Sequence, residues 1–259
     1  GQYYNQNARA YVSWNWRANA GTTAANSVGA TSSVTQVDPS GGFSIVTYTG
    51  FSGSSGSSTV GHGMGVAPNM IIHKSRSRTS GWWTQVPNLL TDAGYFLDLS
   101  GTNAQTNLNS YGTMNVPTTS VFTINGVDGV GGESANYVAY CFANIEGYCK
   151  VGSYVGNGND DGTFVYTGFR PAMMILKELV VDDWLIYDDK RVGYNNDSAG
   201  NAVLYPNAAY AEGNQASRAI DILSNGFKLR TSNATGNAGS GNYIYLAMAH
   251  NPFKYATAR

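Results

Sequence analysis

The side chains in this sequence that are best suited to recognise a ligand are aromatic rings. Trp82 and Trp83 are adjacent in the first half, and Trp184 stands alone in the second half. Tryptophan rings stack on sugar rings, and loops rich in Asn, Asp and Gly supply the polar partners that carbohydrate sites use. Trp83 and Trp184 are therefore candidate carbohydrate contacts. The alternative is packing, which fits Trp82 and Trp184 because they occupy matching positions in two halves of the chain, whereas Trp83 has Leu185 as its counterpart.

The densest group of acidic residues lies at 182–191, with the sequence DDWLIYDDKR. Alternation along a strand brings pairs of carboxylates close enough for glycoside hydrolysis, with Asp188 and Asp189 as the candidates. The stretch that follows Trp82 has no acid, so only one half would carry such a site. Local pairing of Asp with Arg at a strand end is the simpler interpretation. We predict no catalytic residues and a protein that is not an enzyme.

The remaining motifs do not predict a metal or cofactor site. The three histidines, His62, His73 and His250, are far apart, and none has a potential ligand at metal-site spacing. The loop at 157–162 (NGNDDG) is rich in oxygen atoms that could bind calcium, yet it lacks the twelve-residue pattern with a terminal Glu. The glycines at 61–65 fit neither nucleotide-binding fingerprint. No cofactor and no metal is expected, and calcium at 157–162 stays an open alternative.

One strand pattern recurs along the chain. Residues 136–143 (NYVAYCFA) return as residues 242–249 (NYIYLAMA) and, more loosely, as residues 10–17 (AYVSWNWR). Strict alternation places Val, Tyr and Phe of the first copy on one face, which we predict to be a core face, and small residues on the other. The offset between the first two copies is 243 − 137 = 106 residues. A period of this length indicates two domain-sized units, each closed by this strand.

Other landmarks recur in the same order. Pro68 and Lys74 match Pro171 and Lys177, and residues 96–99 match 202–205. No segment shows a helical period over ten or more residues, and short strands separated by turn residues are typical of β-sandwiches. We predict an all-β fold of two tandem antiparallel β-sandwich (jelly-roll-like) units and an extra N-terminal strand. The predicted segments are a closing strand of a missing preceding unit (1–18), a linker (19–42), unit one (43–147) and unit two (148–259).

The N-terminal strand is expected to dock, on unit one or on a neighbouring chain. Its alternation places Trp14 and Trp16 on one face. Leaving such side chains in water forfeits roughly 1.5–3 kcal/mol each.

Composition excludes several classes of partner. Charged residues make up 12% of the chain, and the formal net charge is −1, so there is no basic surface for nucleic acid. No apolar run approaches the roughly 20 residues needed to cross a bilayer, so no membrane insertion is expected. The two cysteines, Cys141 and Cys149, are predicted to be small buried residues, and a disulfide between them is an unforced alternative.

The matched segments together resemble the repeat units of structural proteins of tailed-bacteriophage virions from aquatic hosts. The segments that carry the resemblance are 42–50 (GFSIVTYTG), 60–68 (VGHGMGVAP), 137–143 (YVAYCFA), 223–230 (LSNGFKLR) and 251–255 (NPFKY). The resemblance implies the last two units of a longer, non-enzymatic tail fibre or appendage at the virion surface. The implied partners are copies of the chain, with a trimer expected for a fibre, other virion proteins, and a host-surface glycan. The alternatives are a head-decoration or filament-forming protein and, less favoured, a polysaccharide depolymerase.

Overall fold

The structure is a computed structural model that describes residues 7–18, 22–40, 42–191, 195 and 201–251. It is almost entirely β-structure, as the alternating sequence predicts. The described part contains one α-helix, α1 (Ala234–Asn237), two short 3-10 helices (Asn109–Tyr111 and Ala216–Arg218) and nineteen strands: β1 (Ala24–Asn26), β2 (Ser33–Asp38), β3 (Phe43–Thr49), β4 (Ser57–Gly61), β5 (Met70–Ser75), β6 (Trp83–Gln85), β7 (Tyr95–Asp98), β8 (Thr106–Asn107), β9 (Val121–Asn125), β10 (Asn136–Phe142), β11 (Cys149–Val155), β12 (Phe164–Tyr166), β13 (Pro171–Glu178), β14 (Trp184–Asp188), β15 (Asn201–Val203), β16 (Gly213–Gln215), β17 (Ile220–Leu223), β18 (Gly226–Leu229) and β19 (Asn242–Ala249).

The strands form two large sheets and three small ones, and all the strand pairs are antiparallel. The larger sheet has the order β1-β2-β3-β10-β5-β6-β7-β8, and the second has the order β11-β19-β13-β14. The small sheets are β4-β9, β12-β18-β17 and β15-β16. We call strands β3 to β10 unit one and strands β11 to β19 unit two. In the described residues, no helix is of a length and apolarity that would cross a membrane.

The predicted closing strand holds the same position in both units. β10 lies between β3 and β5, and β19 lies between β11 and β13. The registers also agree, because Phe142 of β10 faces Met70, and Met248 of β19 faces Met173. The internal repeat inferred from the sequence is therefore a repeat of strand pairing.

Both faces of the closing strand are buried, in different cores. Tyr137, Ala139 and Cys141 face the core between the large and small sheets of unit one. Phe142, on the opposite face, packs into a core that the two units share, to which unit two contributes Leu246. This interunit core forms because the two large sheets pack against one another through their outer faces. The face with small residues therefore also covers a core.

The two cysteines are free and buried, as predicted for small apolar residues. Cys141 lies in the core of unit one, while Cys149 lies in the interunit core. Burial raises the pKa of the Cys149 thiol to about 12 and that of Cys141 further, so both remain protonated at neutral pH.

The prediction for the N-terminal region needs two corrections. Residues 7–18, where a closing strand was expected, form no strand in the structure. Residues 19–42 are not simply a linker, because β1 and β2 lie within them and β2 pairs along β3. The small polar residues of β2 hid this strand, since Ser33 and Thr35 are buried at positions that usually hold apolar side chains. The extra N-terminal strands are therefore β1 and β2.

The expectation that Trp14 and Trp16 dock agrees with the structure. Both indole rings are half-buried against the interunit core. The Trp16 ring meets Phe142 edge-on, with 6.1 Å between ring centroids. Gln36 also donates a hydrogen bond to the carbonyl oxygen of Ala18. The segment thus docks by side-chain packing without joining a sheet.

Candidate functional site

Trp184 is not available to a ligand. Its side chain is 1% exposed and lies in the interunit core. Its indole N–H donates a hydrogen bond of 2.9 Å to the carbonyl oxygen of Asp98 in unit one. The prediction of Trp184 as a carbohydrate contact is therefore wrong, because the packing of the two sheets turns its position into an interior one.

Trp83 is half-buried rather than fully exposed. It pairs with His73 across the β5-β6 ladder, and its ring packs against the core of unit one. The neighbouring Trp82 is the more accessible ring, at 37% exposure. Trp82 lies beside Tyr140, whereas Trp83 packs on the core of unit one, so the two rings lie on opposite faces of the sheet.

Trp82 belongs to a small aromatic surface. Its ring lies nearly parallel to that of Tyr140, with an interplanar angle of 15° and 6.4 Å between centroids. The ammonium group of Lys74 sits 6.0 Å from the centroid of the Trp82 ring, within the range of a cation–π interaction. The backbone N–H of Trp82 donates a hydrogen bond of 3.0 Å to the carboxylate of Asp98. Rings and charged groups therefore meet at one place, which we call the Trp82 surface.

The Trp82 surface forms one wall of a cleft between the two large sheets. The cleft has a volume of about 350 Å³ and is lined almost entirely by apolar side chains. Its walls include Trp82 and Tyr140 from unit one, Ile175 and Leu246 from unit two, and Trp16 from the N-terminal segment. Because the lining is apolar and the charged residues Lys74 and Asp98 contact Trp82 without belonging to it, the cleft suits a ligand with one apolar face.

The acidic residues at 182–191 are engaged in local contacts. Asp188 pairs with Arg191 at 2.7 Å, and the Arg191 guanidinium also contacts Glu212 at 3.0 Å. Burial alone would raise the pKa of Asp188, but hydrogen bonds from Arg191 and from the Lys190 backbone outweigh it and hold the pKa below its usual range. The Asp189 carboxylate meets the imidazole of His250. Asp188 and Asp189 thus each have a cationic or imidazole partner, while Asp182 and Asp183 accept hydrogen bonds from the Asp183 backbone and the Asn207 side chain.

The other two histidines, His62 and His73, are buried in unit one. His73 is fully buried beside Phe96 and Phe122, and its Nε2 atom has no hydrogen-bond partner. This burial lowers the pKa of His73 to about 3, so the ring is neutral. His62 bonds to the Thr118 carbonyl oxygen at 3.1 Å. Among the described residues, no three His, Cys, Asp or Glu side chains cluster as metal ligands would.

The oxygen-rich loop at 157–162 uses its oxygens within the protein. Asn157 accepts hydrogen bonds from the side chain of Asn237 and from the backbone of Asn159. Asp160 accepts from the backbone of Ser232, and Asp161 pairs with Lys228 at 2.6 Å. The side-chain oxygens of this loop are committed to hydrogen bonds and an ion pair, so their arrangement does not favour calcium.

A second aromatic surface, missed by the sequence reasoning, lies on the outer face of unit two. Phe164 is 45% exposed and Tyr166 is 59% exposed, on either side of the buried Val165. Lys150 places its ammonium group 5.7 Å from the centroid of the Tyr166 ring. The alternation at 164–166 could have signalled an exposed aromatic pair, since it places two large rings on the face opposite a core valine.

These features define an all-β protein of two stacked sandwich units, each with exposed aromatic side chains. The family model described as "Domain of unknown function (DUF7483)" matches residues 1–252, and the chain belongs to this family. No curated protein and no solved structure matches the chain.

Proposed function

We propose that this chain is a non-enzymatic structural component of a tailed-phage virion, displayed at the particle surface in a tail fibre or similar appendage. Its role would be attachment to the host. Two lines of argument support the proposal: the resemblance of the repeated segments to virion proteins, and a scaffold whose two units share one buried core. Such stacking suits an element that must transmit force without bending between its units.

The observation that carries the attachment role is the Trp82 surface. A half-exposed tryptophan costs hydrophobic free energy unless a partner covers it. Here Trp82 is flanked by Tyr140, with Lys74 and Asp98 at the rim. A sugar ring could place its apolar face on Trp82 and its hydroxyl groups on the charged rim. The candidate ligand is therefore a host-surface glycan.

The location is tested by immunogold labelling of purified phage particles with antibodies raised against this chain. We expect gold on the tail or its appendages. Label confined to opened capsids, or particles that lack the protein, would contradict the proposal.

The attachment role is tested by adding the purified chain to host cells before infection. We expect the chain to block phage adsorption, and Trp82→Ala to weaken the block by about tenfold or more, the loss typical of a central aromatic contact. Tyr111→Ala is the matched control, because Tyr111 is an exposed ring of unit one outside the cleft. Equal blocking by the Trp82 and Tyr111 variants would exclude the Trp82 surface.

A head-decoration or filament-forming role is the second candidate. The observation that favours it is the uncovered edge of β12 on unit two, because an open edge pairs with another copy, and a filament would add a second contact to this one. Solution mass separates the candidates, since a discrete oligomer such as a trimer fits a fibre and an open-ended polymer fits a filament.

A further inference from the structure

The small outer sheet of unit two ends in a strand edge without a partner. In the order β12-β18-β17, β12 pairs with β18 on one side only. The backbone hydrogen bonds from Leu229 to Thr163 and from Thr167 to Asn225 flank the ladder. Since such bonds alternate along an antiparallel strand, the N–H and C=O groups of Phe164 and Tyr166 point away from β18. Within the described part of the chain, no residue bonds to them.

The equivalent edge of unit one is covered. Val60 faces Phe122 in β4-β9 as Val165 faces Phe227 in β12-β18, so Thr59 corresponds to Phe164. Thr31 forms a parallel bridge with Val60, and its N–H donates to the Thr59 carbonyl oxygen at 2.8 Å.

The next carbonyl along that edge, on Gly61, accepts a hydrogen bond from the Ser33 hydroxyl. The cover comes from the chain that leads into β2. Unit two has no such lead-in, because only six residues separate the end of β10 from the start of β11.

The side chains of the two edge strands, β4 in unit one and β12 in unit two, also differ. Where unit one has Thr59 and Gly61, unit two has Phe164 and Tyr166. A Cβ atom at Gly61 would lie 2.3 Å from the Asn26 side chain, so the covering segment packs directly on the outer face of unit one. Where a segment of the chain covers the outer face of unit one, unit two has two exposed aromatic rings.

The charges around β12 do not oppose the approach of a second identical surface. Lys228, which faces Phe164 across the ladder, pairs with Asp161 at 2.6 Å. Arg230 pairs with Asp221 at 3.4 Å. These charges are matched locally, and the remaining cation, Lys150, lies over the Tyr166 ring of its own copy, so the repulsion between two copies is limited to one screened charge on each.

We propose that β12 pairs antiparallel with β12 of a second copy, about a two-fold axis at Val165. In this register Phe164 of one copy faces Tyr166 of the other, twice, and the outward N–H and C=O groups of both residues bond across the axis. The rings become cross-strand aromatic neighbours, a favourable pairing in antiparallel sheets. The two outer sheets join into one six-stranded sheet. This contact does not depend on the attachment role.

The self-complementarity of β12 selects a second copy as the occupant. A strand with two outward residues placed symmetrically about a central one can satisfy its edge with its own sequence, and the aromatic rings then cover each other. The pairing segment is three residues long. So short a contact lies at the small end of interface size, and we expect a weak, concentration-dependent dimer.

The experiment is sedimentation equilibrium of the full chain over a wide range of concentrations, with Tyr166→Lys and Phe164→Lys as variants. A lysine at a strand edge opposes pairing with another strand. We expect a monomer–dimer equilibrium that each variant weakens by about tenfold or more. Tyr111→Lys is the matched control with the same change of charge at an exposed tyrosine, and it should leave the dimer unchanged.

Amide hydrogen exchange at single residues reports the strand register. Because it uses the wild-type chain, the result does not depend on whether the lysine variants fold. In the wild type, the amides of Phe164 and Tyr166 should become protected as concentration rises, while the protection of Val165, bonded within the sheet, stays constant. A monomer at all concentrations would overturn the proposal, as would an oligomer that both lysine variants leave intact. A monomer whose binding to host cells depends on Tyr166 would likewise overturn it, and would assign the surface to a glycan.

Discussion

The two units share a strand ladder but place equivalent tryptophans in opposite environments. Trp82 and Trp184 both follow the central strand at matching positions, yet Trp82 is half-exposed and Trp184 is interior. The difference arises at the interunit contact, where the Trp184 indole reaches the Asp98 carbonyl oxygen of unit one. A tryptophan at the same position thus holds the two units together in unit two, as Trp184, and forms a surface in unit one, as Trp82.

The lysines at the end of the preceding strand, Lys74 and Lys177, also differ in their exposure between the two units. Lys74 lies beside the Trp82 ring and donates to the Ser80 carbonyl oxygen. Lys177 is buried, and its ammonium group donates to the carbonyl oxygens of Glu178 and Val180. Burial lowers the pKa of Lys177 to about 8, although the nearby carboxylates favour the charged form and raise the pKa.

What the units keep in common lies between the large and small sheets. Tyr48 stacks on Tyr137 in unit one, and Tyr154 stacks on Tyr243 in unit two, with centroid distances of 5.3 and 4.7 Å. Tyr48 and Tyr154 each donate a hydroxyl hydrogen bond to a backbone carbonyl of the segment before the closing strand, Val130 in unit one and Gly236 in unit two. The shared scaffold is therefore this tyrosine pair with its closing strand, whereas the outer faces have diverged.

The largest predicted effect compares the two tryptophans. Trp184→Ala should lower the free energy of unfolding by about 3–5 kcal/mol, because it empties a large buried site. Trp82→Ala should cost less than about 1 kcal/mol, since half-exposed side chains leave no closed cavity. Urea denaturation of both variants measures the difference. Equal losses would show that Trp184 does not hold the interunit core.

The next effect concerns the unit-one core, where His73 occupies the position of Leu176 in unit two. The pKa of His73 is about 3 when folded, so the unfolded chain binds more protons below its ordinary pKa of 6.5. Stability should therefore fall as pH drops from 6.5, by about 3 kcal/mol at pH 4 from this group. His73→Leu should remove this part of the acid sensitivity. Thermal melts of both proteins between pH 7 and pH 4 test it, and parallel pH profiles would contradict it.

A smaller effect is expected for the N-terminal segment. Deleting residues 1–18 removes the half-buried Trp14 and Trp16 from the interunit core. The loss should be about 1–3 kcal/mol, reduced from full burial because both rings are partly exposed. Chemical denaturation of the truncated chain gives the value. Unchanged stability would mean that the docking contributes nothing.

The smallest effect tests the shared tyrosine pair. Tyr48→Phe keeps the ring but removes the 2.6 Å hydrogen bond to the Val130 carbonyl oxygen. The expected loss is about 1 kcal/mol, typical for one buried hydrogen bond. Tyr154→Phe in unit two, which loses the bond to Gly236, should cost a similar amount. A clear difference between the two variants would show that the units use the pair differently.

Part of this comparison could be predicted from the sequence because strand periodicity survives in a single chain. The closing strand, its offset of 106 residues and the match of Cys141 with Ala247 follow from local alternation. The match of residues 96–99 with 202–205 was off by one position, because the ladders place Leu97 opposite Thr84 and Leu204 opposite Ile186. A slip of one residue exchanges the faces of a strand.

Other features depend on contacts between distant segments. The burial of Trp184 requires a second sheet from the other unit, and no local pattern reveals that contact. The strand β2 is rich in small polar residues, so its pairing with β3 was hidden. The contrast between the covered β4 edge and the open β12 edge depends on where residues 26–33 pack.

The most direct test of the central claim, that both units share one interunit core, is differential scanning calorimetry of the full chain. If the units are held together by this core, they should unfold in a single transition whose calorimetric and van't Hoff enthalpies agree. Trp184→Ala should lower the transition temperature or split the transition. Two well-separated transitions in the wild-type protein, each with the enthalpy of one unit, would contradict the account.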